Sequence, residues 1–236
     1  MPLMSPDEYK ASLRDGRRVF YRGEAVEDVA AHPVIGVAVD HAAIDYEMAH
    51  GEENRELAVV EGPDGPYSRY YHIPENADDL LKRSTLIERA TALGGTLVVL
   101  IKEIGTDALF ALHLVAEHMD REMGTGYLPR VKKFYEHCRD NDLAIAVAQT
   151  DVKGDRSKGP ADQNHPDYYV RVVSEDAEGI TLRGAKVHTS VATNAHEIIV
   201  LPTRAMGEGD GAYAVACAVP ANAPGLTMIA AGYGRG

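Results

Sequence analysis

Apolar residues return at three- and four-residue intervals along the chain as far as Asp140, and beyond it they gather into short runs divided by polar turns. Ser5-Pro6-Asp7-Glu8 has the make-up of a helix start: a capping serine, proline at the first helical position, and a glutamate that completes a capping box. Gly16 is its stop. Val19-Phe20-Tyr21 and Val26 flank Gly23 as a short hairpin. After His32-Pro33, Val34 to His50 reads as one helix, with Ile35, Val39, Ala42, Tyr46 and Ala49 on one side and Gly51 at its end. Leu57-Ala58-Val59-Val60 and Tyr67 to Ile73 bracket the turn Gly62-Pro63-Asp64-Gly65-Pro66, a strand–turn–strand signal. The tyrosines of Tyr67 to Tyr71 read as a half-buried strand, with a ligand-facing role as the alternative.

Helices dominate the next stretch. They run over Ala77 to Leu93, capped by Asn76 and broken by Gly94-Gly95; over Thr106 to Met123, ended by Gly124-Thr125-Gly126; and over Leu128 to Asp140. Thr96 to Ile104, between the first two, is largely apolar. From Leu143 the texture is that of strands: Leu143 to Val147, Tyr168 to Val173, Gly179 to Val187, Glu197 to Leu201, Tyr213 to Val219, and a last one from Leu226 to Ile229. Helices first and strands second predict an α+β fold. The expected division is a helical part over 1–141 and a β part over 142–236, with no repeat and no low-complexity tract. The final strand has no covering element after it, so the chain is expected to stop inside its β part.

Composition narrows the function classes. The 236 residues, 45% hydrophobic and 25% charged, suit one large domain or two small ones. A net charge of -12 argues against duplex nucleic acid or an anionic membrane surface as partner. Cys138 and Cys217 are too few and too far apart for a disulfide framework or a cysteine metal site, and a reducing compartment is expected. The first residues lack a basic region and an apolar core of signal-peptide type, and the apolar stretch Thr96 to Ile101 is far short of a membrane span. A soluble, cytoplasmic protein is the expectation.

Among ten histidines no His-Glu-x-x-His occurs, and His113 and His118 lie five apart on different faces of one helix. Glycine-rich dinucleotide and phosphate-loop motifs are missing, as is Gly-x-Ser-x-Gly. Two segments of the β part remain. Gln149-Thr150-Asp151 ends one strand, and Val187-His188-Thr189-Ser190 ends another. Strand ends that carry hydroxyls, amides and free backbone groups can meet the polar edge of a flat cofactor such as an isoalloxazine. If both strands share a sheet, Thr150, Thr189 and Ser190 converge; the plainer alternative is that these residues only terminate strands.

Thr150-Asp151 with Gly154-Asp155, and Leu182-Arg183-Gly184-Ala185-Lys186-Val187-His188-Thr189, resemble the flavin-binding strands of the acyl-CoA dehydrogenase fold. Tyr21-Arg22-Gly23-Glu24, Val26-x-Asp28-Val29 and His32-Pro33 resemble the N-terminal signature of the 4-hydroxyphenylacetate 3-hydroxylase family. Thr150 to Arg156, Arg183-Gly184-Ala185-Lys186-x-His188 and Pro202-Thr203-Arg204-Ala205-Met206 are most similar to its 4-hydroxybutyryl-CoA dehydratase branch. The resemblance covers about Arg18 to Leu226. It implies a flavoprotein using FAD or reduced FAD, with an N-terminal helical domain, an antiparallel β-barrel-like domain, and a C-terminal helical domain that is expected to be missing here. It also implies a homotetramer that completes the flavin pocket across subunits, and a flavin reductase or second subunit as a possible partner.

Two departures qualify what the resemblance implies. In the dehydratase branch two cysteines, four apart, precede a Gly-x-Asp-Ala helix start and ligate an iron–sulfur cluster. Here Gly105-Thr106-Asp107-Ala108 keeps the anchor, but Val99 and Glu103 hold the ligand positions, so the usual cluster is not expected. The monooxygenase branch places an arginine and a tyrosine around that helix start and a histidine on the following strand; the matching positions are Ile104, Ala108 and Val147. The expected site therefore has Gln149, Thr150, Asp151, Thr189 and Ser190 around the flavin, His188 beside it, and Glu103 as a candidate base, with a solvated Glu103 as the alternative. No metal is expected. The substrate would be an acyl-CoA or a phenolic acid. Three roles stand open: a flavoenzyme close to the dehydratase branch without its cluster, an aromatic monooxygenase, or a non-catalytic subunit that completes another chain's pocket.

Overall fold

A computed structural model describes residues 3–95 and 102–231. The first helix, α1 (Pro6–Ser12), starts as its sequence requires: the Ser5 hydroxyl accepts from the Glu8 amide, and the Glu8 carboxylate accepts from the Ser5 amide. A hairpin follows, β1 (Val19–Tyr21) and β2 (Glu24–Val26). The stretch from Val34 to His50 is two helices rather than one, α2 (Ile35–Ala42) and α3 (Ile44–His50). At the junction Tyr46 donates to Ala43 three residues back, a tighter bond than the α pattern, and the apolar spacing carries no trace of this break. Gly51 is extended and starts a further charged helix, α4 (Glu52–Ala58), so the strand expected from Leu57 begins later, as β3 (Val59–Gly62). Its partner β4 (Gly65–Ser68) is short, and Arg69–Tyr71 form a 3-10 turn with Tyr70 and Tyr71 buried.

The long helices lie close to expectation: α5 (Ala77–Gly94), capped by Asn76; α6 (Glu103–Met123); and α7 (Leu128–Asp140). The expected apolar run from Thr96 falls largely on 96–101, outside the described residues. The remaining strands are β5 (Ile145–Ala148), β6 (Arg171–Asp176), β7 (Gly179–Arg183), β8 (Glu197–Val200), β9 (Cys217–Pro220) and β10 (Met228–Ala230).

These strands do not make an antiparallel barrel. Among the described residues they form four small sheets, ordered β10-β1-β2, β3-β4, β5-β8-β9 and β6-β7, and no closed barrel. Two pairings are parallel, β1 with β10 and β5 with β8, because in each case the chain returns by a long connection rather than a hairpin. The β10 strand therefore finds its partner in the first residues of the chain. One core follows the same connection: Tyr9, Val39 and Tyr46 from the helices pack with Ala146, Ile198 and Met228 from the strands. A second cluster joins α6 and α7 to the sheet through Leu109, Tyr135, Cys138, Ile145 and Ile199. Both cysteines are free thiols, Cys138 buried and Cys217 half-buried. Among the described residues no helix is long and apolar enough to cross a membrane.

Candidate functional site

The two singled-out segments, one following β5 and the other following β7, lie side by side. Beyond Ala148 the chain continues as Gln149-Thr150-Asp151, and the Thr150 carbonyl accepts from the Val187 amide at 2.8 Å. Asp151 and Lys186 then pair as an isolated antiparallel bridge. Between these strand ends and the start of α6 lies an open cleft of about 230 Å³, lined by Ile104, Ala146, Val147, Gln149, Thr150, His188, Ser190 and Val191. Its floor is aliphatic, and its rim carries an amide, two hydroxyls and an imidazole. Among the described residues no hydrogen bond within the chain engages the side chains of Gln149, Thr150, His188 or Ser190. Those groups are free for a ligand.

The rim's backbone is strained where it turns. His188 has φ 56°, as does Val191, and Lys153 in the loop after β5 has φ 76°. Non-glycine residues seldom occupy this region, and such strain collects at binding sites. Close packing forces part of the course: a Cβ on Gly184 (φ 141°) would fall 2.6 Å from the Tyr169 carbonyl oxygen.

Asp151, expected on the flavin, is committed elsewhere. Its carboxylate accepts from the Val170 amide at 3.1 Å and from the Lys186 ammonium at 2.8 Å, and its own amide donates to the Thr203 hydroxyl at 2.8 Å. Thr203 in turn donates to the Gln149 carbonyl at 2.7 Å. Lys186 also donates to the carbonyls of Gln149 and Leu201, at 2.9 and 2.7 Å. Burial pushes the Lys186 ammonium down, and Asp151 offsets part of that. Lys186 and Thr203 lie within the family-like motifs, but neither residue type in that setting points to a role. Arg183 lies three residues before Lys186, so charge alone does not single out the lysine.

Thr189 is half-buried and does not line the cleft. Glu103 opens α6 beside Ile104 and is also not among the lining residues. Its carboxyl is pushed up by burial and by Asp107, with Arg83 opposing. That guanidinium donates to the Glu103 carbonyl, the Thr106 hydroxyl and Asp107, closing the α6 start from the α5 side. Val99 lies outside the described residues. Gly105 lets α6 rest directly on β5, which is why Ile104 can wall the cleft.

A serine–histidine pair elsewhere is structural. The His196 Nδ1 accepts from the Ala144 amide at 2.9 Å, so Nε2 carries the proton and donates to the Ser12 hydroxyl at 2.7 Å. Ser12 then donates to the Tyr9 carbonyl. Burial, with Arg17 and Lys102 nearby, pushes His196 down to about 3. An imidazole committed at both nitrogens cannot act as a base towards Ser12.

The fold and cleft define an α+β protein whose candidate site lies where the segments that follow β5 and β7 meet the start of α6. The chain belongs to the family described as 4-hydroxyphenylacetate 3-hydroxylase N terminal, which matches residues 5–234. It is 34% identical over 237 residues to 4-hydroxybutyryl-CoA dehydratase/vinylacetyl-CoA-Delta-isomerase of Clostridium aminobutyricum, covering 99% of this chain and 47% of that protein. It is 29% identical over 211 residues to the oxygenase component of 4-hydroxyphenylacetate 3-monooxygenase of Thermus thermophilus, covering 89% and 43%. Among solved structures, an oxygen-tolerant archaeal 4-hydroxybutyryl-CoA dehydratase from N. maritimus superposes with a TM-score of 0.90 at 35% identity, over 99% of this chain and 46% of that one. An oxygenase component of 4-hydroxyphenylacetate 3-monooxygenase complexed with FAD gives 0.86 at 26% identity, over 96% and 46%. The chain thus spans about half the length of the relatives it matches.

Proposed function

We propose that this chain supplies the strand-end side of an FAD site in an enzyme that acts on an aliphatic acyl thioester. The observation that carries the reading is the cleft itself, an uncommitted polar rim above an aliphatic floor. A flavin ring presents a hydrogen-bonding edge and flat apolar faces. The hydroxyls of Thr150 and Ser190 and the amide of Gln149 suit the edge, while Ala146, Val147, Ile104 and Val191 suit a face. The cleft is smaller than the roughly 300–1,000 Å³ of a complete ligand pocket. Further walls, from a second copy of this chain, would complete it.

The lining favours the acyl substrate over a phenolic one. Among the described residues it holds no arginine or lysine, so a phenolate or free carboxylate pressed against this floor would lose water without gaining a counter-ion. A neutral acyl chain loses nothing by the same contact. When bound, FAD supplies two-electron redox chemistry. The part left to this chain is positional. Thr150 and Ser190 orient the cofactor edge, Ile104 and Val147 exclude water, and His188 can hold or move a proton at its imidazole.

Anaerobic addition of FAD, then of saturated and hydroxylated acyl-CoAs and of 4-hydroxyphenylacetate, tests this through the flavin absorption spectrum. The acyl-CoAs should perturb or bleach the flavin bands, and the phenol should leave them unchanged. A phenol-specific response would replace the acyl reading with the monooxygenase one, and no FAD uptake would remove the flavin site altogether.

A further inference from the structure

We infer that Lys186 is a positioning residue for the cleft: its ammonium pins the ends of β5 and β8 so that Gln149, Thr150 and His188 keep their side chains free towards the ligand. The inference rests on the flavin reading above.

Four segments meet at this one side chain and its partners. Gln149 and Asp151 follow β5, Val170 precedes β6, Lys186 follows β7, and Leu201 and Thr203 follow β8. Past the last residues of the β5–β8 ladder, carbonyls such as those of Gln149 and Leu201 have no further strand to accept from. An ammonium has three protons to donate. Here they go to the Gln149 carbonyl, the Leu201 carbonyl and the Asp151 carboxylate, at 2.9, 2.7 and 2.8 Å. None is left over for a ligand, so Lys186 acts through its neighbours.

The arrangement satisfies the backbone without using the rim's own side chains. A hydroxyl or amide from Thr150, Ser190 or Gln149 could have closed the same carbonyls locally, and would then be lost to the cleft. Lys186 is 10% exposed and Asp151 2%, so both charges are withdrawn from water, an arrangement that costs more than an apolar filler of the same volume. Its return is a fixed geometry two residues before His188 and directly behind Thr150.

The test uses the full chain with FAD as probe and hydrogen exchange as a second readout. Three variants are compared with the parent: Lys186→Met; the charge-neutral pair Asp151→Asn with Lys186→Met, which buries no lone carboxylate; and Thr203→Val. In the neutral pair, stability should return towards the parent, while the Val187 and Leu201 amides exchange faster and FAD affinity stays down about 10- to 100-fold, the range seen when contacts that orient ligand-binding groups are removed. Thr203→Val should show the same pattern more weakly. If the neutral pair binds FAD as the parent does with unchanged exchange at Val187, Lys186 is only half of an ion pair and the inference fails. If the parent chain itself takes up no FAD, the flavin reading fails, and the exchange pattern alone decides whether Lys186 pins the rim.

Discussion

Gly105 rests on Ile145: a Cβ built on the glycine would fall 2.3 Å from the Ile145 Cβ and 2.5 Å from its carbonyl oxygen. Contact this close sets the height of α6 above β5, and with it the position of Ile104 over the cleft. Gly105→Ala must push the helix and strand apart. Overpacking of this kind costs about 1–3 kcal/mol, offset slightly by alanine's better helix propensity. Urea denaturation should show the loss. A variant as stable as the parent would mean that the helix can slide without penalty.

Lys102 has no exposed surface and donates to Asp142 at 2.6 Å, with its ammonium 3.8 Å from the centre of the Tyr46 ring. Asp142 also accepts from the Met4 amide, so the pair ties the first residues, α3 and the entry to β5 together. Removing the cation leaves a buried carboxylate without its partner. Lys102→Met should therefore cost about 3–5 kcal/mol, and Lys102→Met with Asp142→Asn should recover a large part of it. Equal losses in the single and double variants, measured by denaturant midpoints, would show that packing rather than charge pairing governs the site.

Asp45 and His196 give opposite pH dependences. One Asp45 oxygen accepts from Tyr70 at 3.1 Å and the other has no hydrogen-bond partner among the described residues; burial pushes the carboxyl up to about 7, against the pull of Lys102. Above its ordinary value of 3.8 the unfolded chain ionises first, so stability falls as pH rises from there to about 7. His196 is pushed down to about 3, so the unfolded chain takes up the proton first, and stability falls as pH drops from 6.5 towards that value. Asp45→Asn keeps a neutral side chain at all pH values. Its advantage over the parent should grow between about pH 4 and about pH 7 and then level off. A constant difference across that range would mean that Asp45 is not held protonated in the fold.

Local chemistry made much of this fold legible in the sequence. The Ser5–Glu8 capping box, the Asn76 cap and the glycines after α5 and α6 act within a few residues, and those helix ends lie close to expectation. What could not be read depends on distant partners. The pairing of Val19 with Met228 and of Ile145 with Glu197 is set by packing across the whole chain, and an antiparallel barrel was a poor guide to it. Charged α4 escaped notice because it has too few apolar positions to show a period. At the site, the polar strand ends marked the cleft, but which polar residue faces it depends on the network. Asp151 and Lys186 turn inward to each other, and Thr150 and His188 line the cleft, a division that their residue types do not encode.

His188 combines a cleft-lining imidazole with a left-handed backbone, and the two can be separated. Holding a non-glycine residue in that region costs about 1–2 kcal/mol. His188→Ala removes the ring and keeps the strain, whereas His188→Gly removes both but adds about 0.5–1 kcal/mol of unfolded-chain entropy. The glycine variant should thus be more stable than the alanine variant by up to about 1.5 kcal/mol. Both should weaken FAD binding to the same extent, since each lacks the imidazole. Denaturation midpoints and quenching of flavin fluorescence measure the two effects independently. If the alanine variant binds FAD as the parent does and the glycine variant does not, the backbone conformation rather than the ring serves FAD binding.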